Sequence, residues 1–260
     1  MQLQDTAAII TGGASGLGEA SARRLAAAGV RIALFDLAEE RGRMVASDIG
    51  GLYCRCDVTD EASVEAALAA AAATHGEARI AINCAGIATG QKTVNRRKES
   101  GAIVPHDLAS FTRTITINLI GTFNVASKAA ARMVALPPRG EDGERGVIVM
   151  TASVAAEDGQ IGQAAYAASK GGVASLTLPM ARDLSRDGVR VMTILPGLFH
   201  TPMFDTLPPE VQAALGASVP FPSRLGKPAE YAALVQSICE NPMLNGTTIR
   251  LDGALRMAPR

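Results

Sequence analysis

The sequence predicts an α/β fold, a doubly wound parallel sheet of about seven strands with helices on both faces. Three observations carry that expectation. Short apolar runs alternate with helical stretches from end to end, the pattern of right-handed strand–helix–strand crossovers. The first run, Ala7-Ala8-Ile9-Ile10, enters a glycine-rich turn, Thr11-Gly12-Gly13-Ala14-Ser15-Gly16-Leu17-Gly18, that opens a helix. The second run, Arg31-Ile32-Ala33-Leu34-Phe35, ends in Asp36, roughly twenty residues beyond the glycines. Together these describe a Rossmann dinucleotide-binding fold. No composition break or long linker divides the chain, so residues 1–260 are expected to form one domain.

The first helix runs from Glu19 to about Ala28 and is stopped by Gly29. In the turn before it, Gly12, Gly16 and Gly18 let the backbone approach a pyrophosphate, with the positive end of the helix dipole behind it. Asp36 is placed to bind the adenosine ribose hydroxyls. A carboxylate there repels a 2′-phosphate, and neither Gly13 nor Leu37 supplies a compensating cation, so NAD is favoured over NADP. Leu52-Tyr53-Cys54-Arg55-Cys56 is the third strand, running through Asp57 and Val58 to an alanine-rich helix from Glu61 to about Thr74. Arg79-Ile80-Ala81-Ile82 is the fourth. It ends in Asn83-Cys84-Ala85-Gly86, small residues that admit a ligand at the carboxyl edge of the sheet.

The polar segment from Ala88 to about Pro105 holds the basic run Lys92, Arg96, Arg97 and Lys98. It reads as a loop at about 88–106, either merely solvated or attracting a substrate's phosphates. A long helix is expected from Asp107 to about Ala135, with one buried amide, Asn118, among Ile115, Ile117, Leu119 and Ile120. Pro137-Pro138 to Gly146 is a turn-rich surface loop. Val147–Met150 is the fifth strand and Val189–Leu195 the sixth. A proline-rich stretch over about 198–226 reads as a substrate lid. A helix from Pro228 to Cys239 and the strand Thr248–Leu251 close the unit.

Between the fifth and sixth strands lie Ser153 and Gln163-Ala-Ala-Tyr166-Ala-Ala-Ser169-Lys170. Tyr166 and Lys170, four residues apart on a helix, share one face. A phenol beside an ammonium, with a hydroxyl opposite, can move a proton on and off an alcohol. A free phenol titrates near ~10, too high for an efficient base at neutral pH. An ammonium at roughly 4 Å, at an effective dielectric of about 20, offers about 4 kcal/mol of attraction to the phenolate. Lys170 is therefore expected to pull the Tyr166 pKa down by up to roughly 3 pH units before desolvation takes some back.

Composition excludes other classes. Lys+Arg and Asp+Glu number 25 each, so the formal net charge is zero and the global electrostatic case for nucleic acid or an anionic membrane is absent. No apolar stretch is long enough to span a membrane. No basic region followed by an apolar run follows Met1, so a cytoplasmic protein is expected. Cys54, Cys56, Cys84 and Cys239 form no metal-spaced cluster, and His75, His106 and His200 are scattered, so no metal site is expected.

The ordered set T-G-x-x-x-G-x-G, Asn83-Cys84-Ala85-Gly86, Asn118, Ser153 and Y-x-x-x-K resembles the short-chain dehydrogenase/reductase superfamily over essentially the whole chain. Cys84 stands where most members carry a second Asn. The inserted loop, Gly159-Gln160 through Lys170, Leu195 through Pro202, Val219 through Gly226 and the tail Asn245 through Gly253 are similar to the type II 3-hydroxyacyl-CoA dehydrogenase branch, also known as 17β-hydroxysteroid dehydrogenase type 10. That resemblance implies an NAD-dependent homotetramer. It implies NAD contacts from Ser15, Leu17, Asp36, Asp57 (to the adenine), Val58, Cys84, Phe199, Thr201 (to the nicotinamide amide), Tyr166 and Lys170. It further implies Tyr166 as acid/base, Ser153 on the substrate oxygen, Lys170 also on the nicotinamide ribose, Asn118 holding a water of a proton relay, and substrate contacts from Gln160 and Gln163. The branch has mitochondrial members in animals. Three functions stay open on the sequence: a 3-hydroxyacyl-CoA dehydrogenase, a hydroxysteroid or other secondary-alcohol dehydrogenase, and a catalytically silent NAD-binding scaffold or sensor.

Overall fold

A computed structural model describes residues 1–202 and 208–259. One parallel sheet of seven strands forms the middle layer. In chain order its strands are β1 (Ala7–Thr11), β2 (Arg31–Asp36), β3 (Leu52–Arg55), β4 (Ile80–Asn83), β7 (Gly146–Thr151), β8 (Val189–Pro196) and β9 (Thr248–Leu251). Across the sheet they lie in the order β3-β2-β1-β4-β7-β8-β9. The order reverses between β1 and β4, and the carboxyl ends of those strands open the crevice in which such sheets bind ligands. β7 and β8 are buried at every residue, as expected for central parallel strands covered on both faces.

Helices α1 (Gly16–Ala27), α2 (Glu39–Asp48) and α8 (Pro228–Glu240) cover one face, where Ile10, Leu25, Leu34, Ile82, Val149, Ile194 and Tyr231 pack together. Helices α3 (Glu61–His75), α5 (Gly121–Val134) and α6 (Ala164–Asp183) cover the other, around Ile9, Leu68, Ala81, Val125, Ile148 and Val173. The alanines of α3 bring that helix close to the sheet, and Asp60 caps it by accepting the Ala62 N–H, a contact worth about 1 kcal/mol.

Four segments depart from the sequence reading. Residues 39–48 form α2, whose polar composition leaves only Val45 and Ala46 as buried apolar anchors. The expected loop at 88–106 contains a two-stranded antiparallel hairpin, β5 (Val94–Arg96) with β6 (Ile103–Pro105). The expected continuous helix from Asp107 is α4 (Leu108–Ile115), a π-helical turn (Thr116–Ile120) and α5. The stretch expected to act as a lid contains α7 (Pro209–Ala217), and its residues 203–207 lie outside the described residues. A polar helix and an exposed hairpin each lack the strong periodicity on which sequence reading depends.

Candidate active site

The carboxyl ends of the central strands open into a cleft of about 690 Å³. At one end lies the glycine turn. Gly12 has φ +64°, a left-handed conformation that glycine tolerates, and a Cβ on it would come within 2.8 Å of the Ala85 nitrogen. A Cβ on Gly18 would meet the Gly12 carbonyl at 2.2 Å, so the turn closes onto α1 only without a side chain there. Thr11 holds the turn against the end of β4, its buried hydroxyl accepting the N–H groups of both Cys84 and Ala85 at 3.1 Å.

Asp36 closes this end. One carboxylate oxygen accepts the Ala14 N–H at 3.0 Å and the other the Ala38 N–H at 2.9 Å, which fixes the group beside the turn. A cation that the sequence reading overlooked stands nearby. Arg41 donates to the Ala14 carbonyl at 3.2 Å, but its guanidinium also pairs with Glu19 at 2.7 Å, which offsets its charge. Asp57, Val58 and Thr59 form the next wall, Asp57 accepting both the N–H and the hydroxyl of Thr59 at 2.9 and 2.7 Å. Phe199, Thr201 and Pro202 approach from the loop after β8, and Thr201 lies over Gly16. The glycine cradle, the carboxylate and these walls fit a dinucleotide.

The other end holds Ser153, Tyr166 and Lys170. Ser153 follows β7 and caps a short 3₁₀ turn, its hydroxyl oxygen accepting the Ala155 N–H at 3.1 Å. That leaves its proton and a lone pair for other partners, and its hydroxyl favours the ionised form of the Tyr166 phenol. Tyr166 and Lys170 stand one turn apart on α6, with the ammonium 5.8 Å from the centre of the Tyr166 ring. Lys170 is buried, and its ammonium donates to the Thr151 carbonyl at 2.9 Å.

This end corrects the expected electrostatics. Burial pushes the Tyr166 phenol above its ordinary value, with the Ser153 hydrogen bond acting the other way. Burial also lowers Lys170 to about 8, and the neighbouring Cys84 thiol opposes that shift. The expected downward pull takes Lys170 as charged at roughly 4 Å from the phenolate. Desolvation here disfavours both charged forms at once, so it outweighs the expected downward pull.

Asn118 sits in the π-turn and is fully buried. Its side-chain oxygen accepts the Ile87 N–H at 2.8 Å, while its amide donates to the Ile87 carbonyl at 2.9 Å and to Ser169 at 3.0 Å. The residue therefore clamps the loop after β4 to α6. Gly86 lies between Asn118 and Lys170: a Cβ there would come within 3.0 Å of the Asn118 oxygen and 3.5 Å of the Lys170 nitrogen.

Most of the predicted residues line this one cleft: Gly12, Ser15, Gly16, Leu17, Gly18, Asp36, Asp57, Val58, Cys84, Ala85, Gly86, Ser153, Tyr166, Lys170, Phe199 and Thr201. Asn83 is buried behind its wall, and neither polar atom of its side chain has a protein partner. Gln160 and Gln163 line a separate shallow depression with Lys92, Thr93 and Val94, and the Gln160 amide donates to the Ala258 carbonyl at 2.8 Å. Arg96, Arg97 and Lys98 are exposed on the hairpin. Residues that sequence reading missed are Thr11, Ile87, Arg113, Ile117, Thr151 and Pro196. Of these only Thr11 and Pro196 lay within recognised motifs.

Residues 6–212 match the short chain dehydrogenase family. The chain belongs to that family. It is 53% identical over 259 residues to 3-hydroxyacyl-CoA dehydrogenase type-2 of Drosophila melanogaster, covering 99% of this chain and 100% of that protein. Among solved structures, 3-hydroxyacyl-CoA dehydrogenase type-2 from Mycobacterium avium superimposes with a TM-score of 0.92 at 44% identity, covering 98% of both chains. The 3-ketoacyl-(acyl-carrier-protein) reductase from Brucella melitensis, solved in complex with NADH, gives 0.83 at 27% identity over 98% of this chain and 100% of that one.

Proposed function

We propose that this protein is an NAD-dependent dehydrogenase that oxidises the secondary alcohol of a 3-hydroxyacyl-CoA ester to a ketone. One observation carries the reading: Ser153, Tyr166 and Lys170 meet at one end of a cleft whose other end holds the glycine turn and Asp36. A protein that only bound the dinucleotide would need the second end alone. The substrate class rests on the relatives' names, with identity running the whole length of the chain.

In this reading the backbone at Gly12, Ser15, Gly16 and Gly18 receives the pyrophosphate, and Asp36 takes the ribose hydroxyls. Asp57 and Val58 flank the adenine. Asn83 through Gly86, Phe199 and Thr201 flank the nicotinamide half. When bound, NAD supplies the hydride acceptor. Ser153 aligns the substrate oxygen with Tyr166, and the phenolate of Tyr166 takes the hydroxyl proton. Lys170, anchored on the Thr151 carbonyl, stabilises that phenolate when charged. Asn118 keeps the helix and the loop after β4 in register, next to the proposed proton relay. Gln160, Gln163 and the basic hairpin would meet the remote part of the substrate, with Lys92, Arg96, Arg97 and Lys98 offered to the CoA phosphates.

The same reading includes a cytoplasmic homotetramer. Exposed Ile120 and Phe123 on the π-turn and α5, with Leu178 on α6, support self-association. None of the helices among the described residues is long and apolar enough to cross a membrane.

The test is absorbance at the NADH band with NAD or NADP against a 3-hydroxyacyl-CoA, a hydroxysteroid and small secondary alcohols. The highest kcat/KM is expected for the CoA ester with NAD, and a clear preference for the steroid would transfer the reading to hydroxysteroids. No turnover on any alcohol, with NADH still bound, would leave a scaffold. Neutralising the four hairpin cations should raise KM several-fold for the CoA ester alone, and an equal rise for a neutral alcohol would remove the CoA role.

A further inference from the structure

Tyr231 belongs to α8, on the opposite face of the sheet from the catalytic helix, yet its phenol reaches the active-site end of β7. The residue is fully buried, and its ring packs edge-on to Phe199 with centroids 6.4 Å apart. Its hydroxyl lies 2.7 Å from the Thr151 hydroxyl and 3.7 Å from the Cys84 sulfur. Thr151 in turn donates to Cys84 at 3.4 Å. A threonine has one hydroxyl proton. With that proton directed at the sulfur, the Thr151 oxygen has a lone pair free to accept the Tyr231 O–H, the direction the proposal takes. The carbonyl of the same Thr151 accepts the Lys170 ammonium. Thr151 is therefore held through its side chain from one face of the sheet and holds Lys170 through its backbone on the other.

We propose that Tyr231 is a positioning residue for the Tyr166–Lys170 pair, acting through Thr151 on the carbonyl that anchors the ammonium. The inference rests on the dehydrogenase reading and deepens it. Three features support the design. The ammonium is buried, and the Thr151 carbonyl is its only hydrogen-bond acceptor among the described residues. The groups that face it are few: the Cys84 thiol from the end of β4, the Tyr166 phenol from its own helix, and the neutral amide of Asn118 beside Gly86. Among the described residues no carboxylate stands there to take over if the carbonyl shifts. The Cys84 thiol completes the ring of contacts with Thr151 and Tyr231.

With the donor removed, Thr151 can turn, the carbonyl loosens and the charged form of Lys170 is less favoured. The Tyr166 phenolate then loses its stabilising cation, and alcohol oxidation requires a higher pH. The experiment is the pH profile of kcat for Tyr231→Phe, with NADH affinity measured by fluorescence on the same preparation. The rising limb is expected to move up by half a pH unit or more, with kcat about five-fold lower at neutral pH and recovering in alkali. NADH affinity should stay within two-fold. A 4-aminophenylalanine at position 231, which keeps the ring and a weaker donor, should move the limb the same way by less. That graded comparison also serves should the Phe variant not fold. An unmoved limb, or an equal loss of kcat at every pH, would overturn the role. If wild-type enzyme turns over no alcohol at all, the functional reading itself has failed, which is a different result from an unmoved limb in an active enzyme.

Discussion

The two ends of the cleft are built by different means. At the proposed nucleotide end the groups are largely backbone N–H groups of one glycine turn, joined by a single carboxylate at the end of the next strand. Asp36 is held by two neighbouring amides, and the carboxylate itself is partly exposed. At the catalytic end the working groups are side chains brought together from β4, the π-turn, β7 and α6. There burial moves Tyr166 up and Lys170 down to about 8. Recognition of a nucleotide needs shape and donors, whereas proton transfer needs an environment, and only the fold as a whole supplies one.

The sharpest way to break this division is Tyr166→Phe, which removes one oxygen from the catalytic end. Turnover is expected to fall at least ~1,000-fold, in keeping with the loss of a general base and a transition-state contact. NADH affinity, followed by fluorescence titration, should change only a few-fold. Retained turnover would remove Tyr166 from the chemistry.

Lys170→Met tests the cost of that environment. The folded value of about 8 lies below the ordinary lysine value of 10.5. Where the unfolded chain binds more protons, stability rises with pH, so the penalty is full below about pH 8 and fades towards 10.5. The Met variant should be more stable than wild type by about 2–3 kcal/mol at pH 7, an advantage that vanishes near pH 10.5, while losing most of its activity. Urea unfolding at both pH values reads this directly. A variant less stable at pH 7 would mean that the ammonium is not strained by burial.

Asp36→Ala is the matching change at the nucleotide end and carries a smaller expected effect. Losing a charge-assisted bond to the ribose should weaken NAD by about 1.5–3 kcal/mol, roughly ten- to a hundred-fold, with little change for NADP. An unaltered NAD/NADP ratio would remove the ribose role.

The contrast also explains what the sequence disclosed. The parallel sheet with helices on both faces follows from alternation and crossover handedness, whereas the order of its strands appears only in the structure. Gly12, Gly18 and Asp36 are legible because their function is local. Tyr166 and Lys170 are legible as a spacing on one helix, and Asn118 as a polar break in an apolar run. Thr151 and Tyr231, 80 residues apart, carry no such signal because their meaning arises only when two faces of a sheet are assembled. The π-turn was hidden for a related reason: one extra residue in a helical turn does not interrupt apolar spacing enough to be seen. The direction of the Tyr166 shift was also out of reach, since it depends on how completely tertiary packing removes water.

If the two ends act independently, their losses must multiply. The decisive measurement is kcat/KM for NAD in Asp36→Ala, Ser153→Ala and the double variant, assayed with one saturating alcohol. The double variant should lose the product of the two single losses to within about two-fold, the additivity of distant sites without shared partners. A double variant no worse than the poorer single one would mean that the nucleotide end and the catalytic end form one coupled device, contradicting the division drawn here.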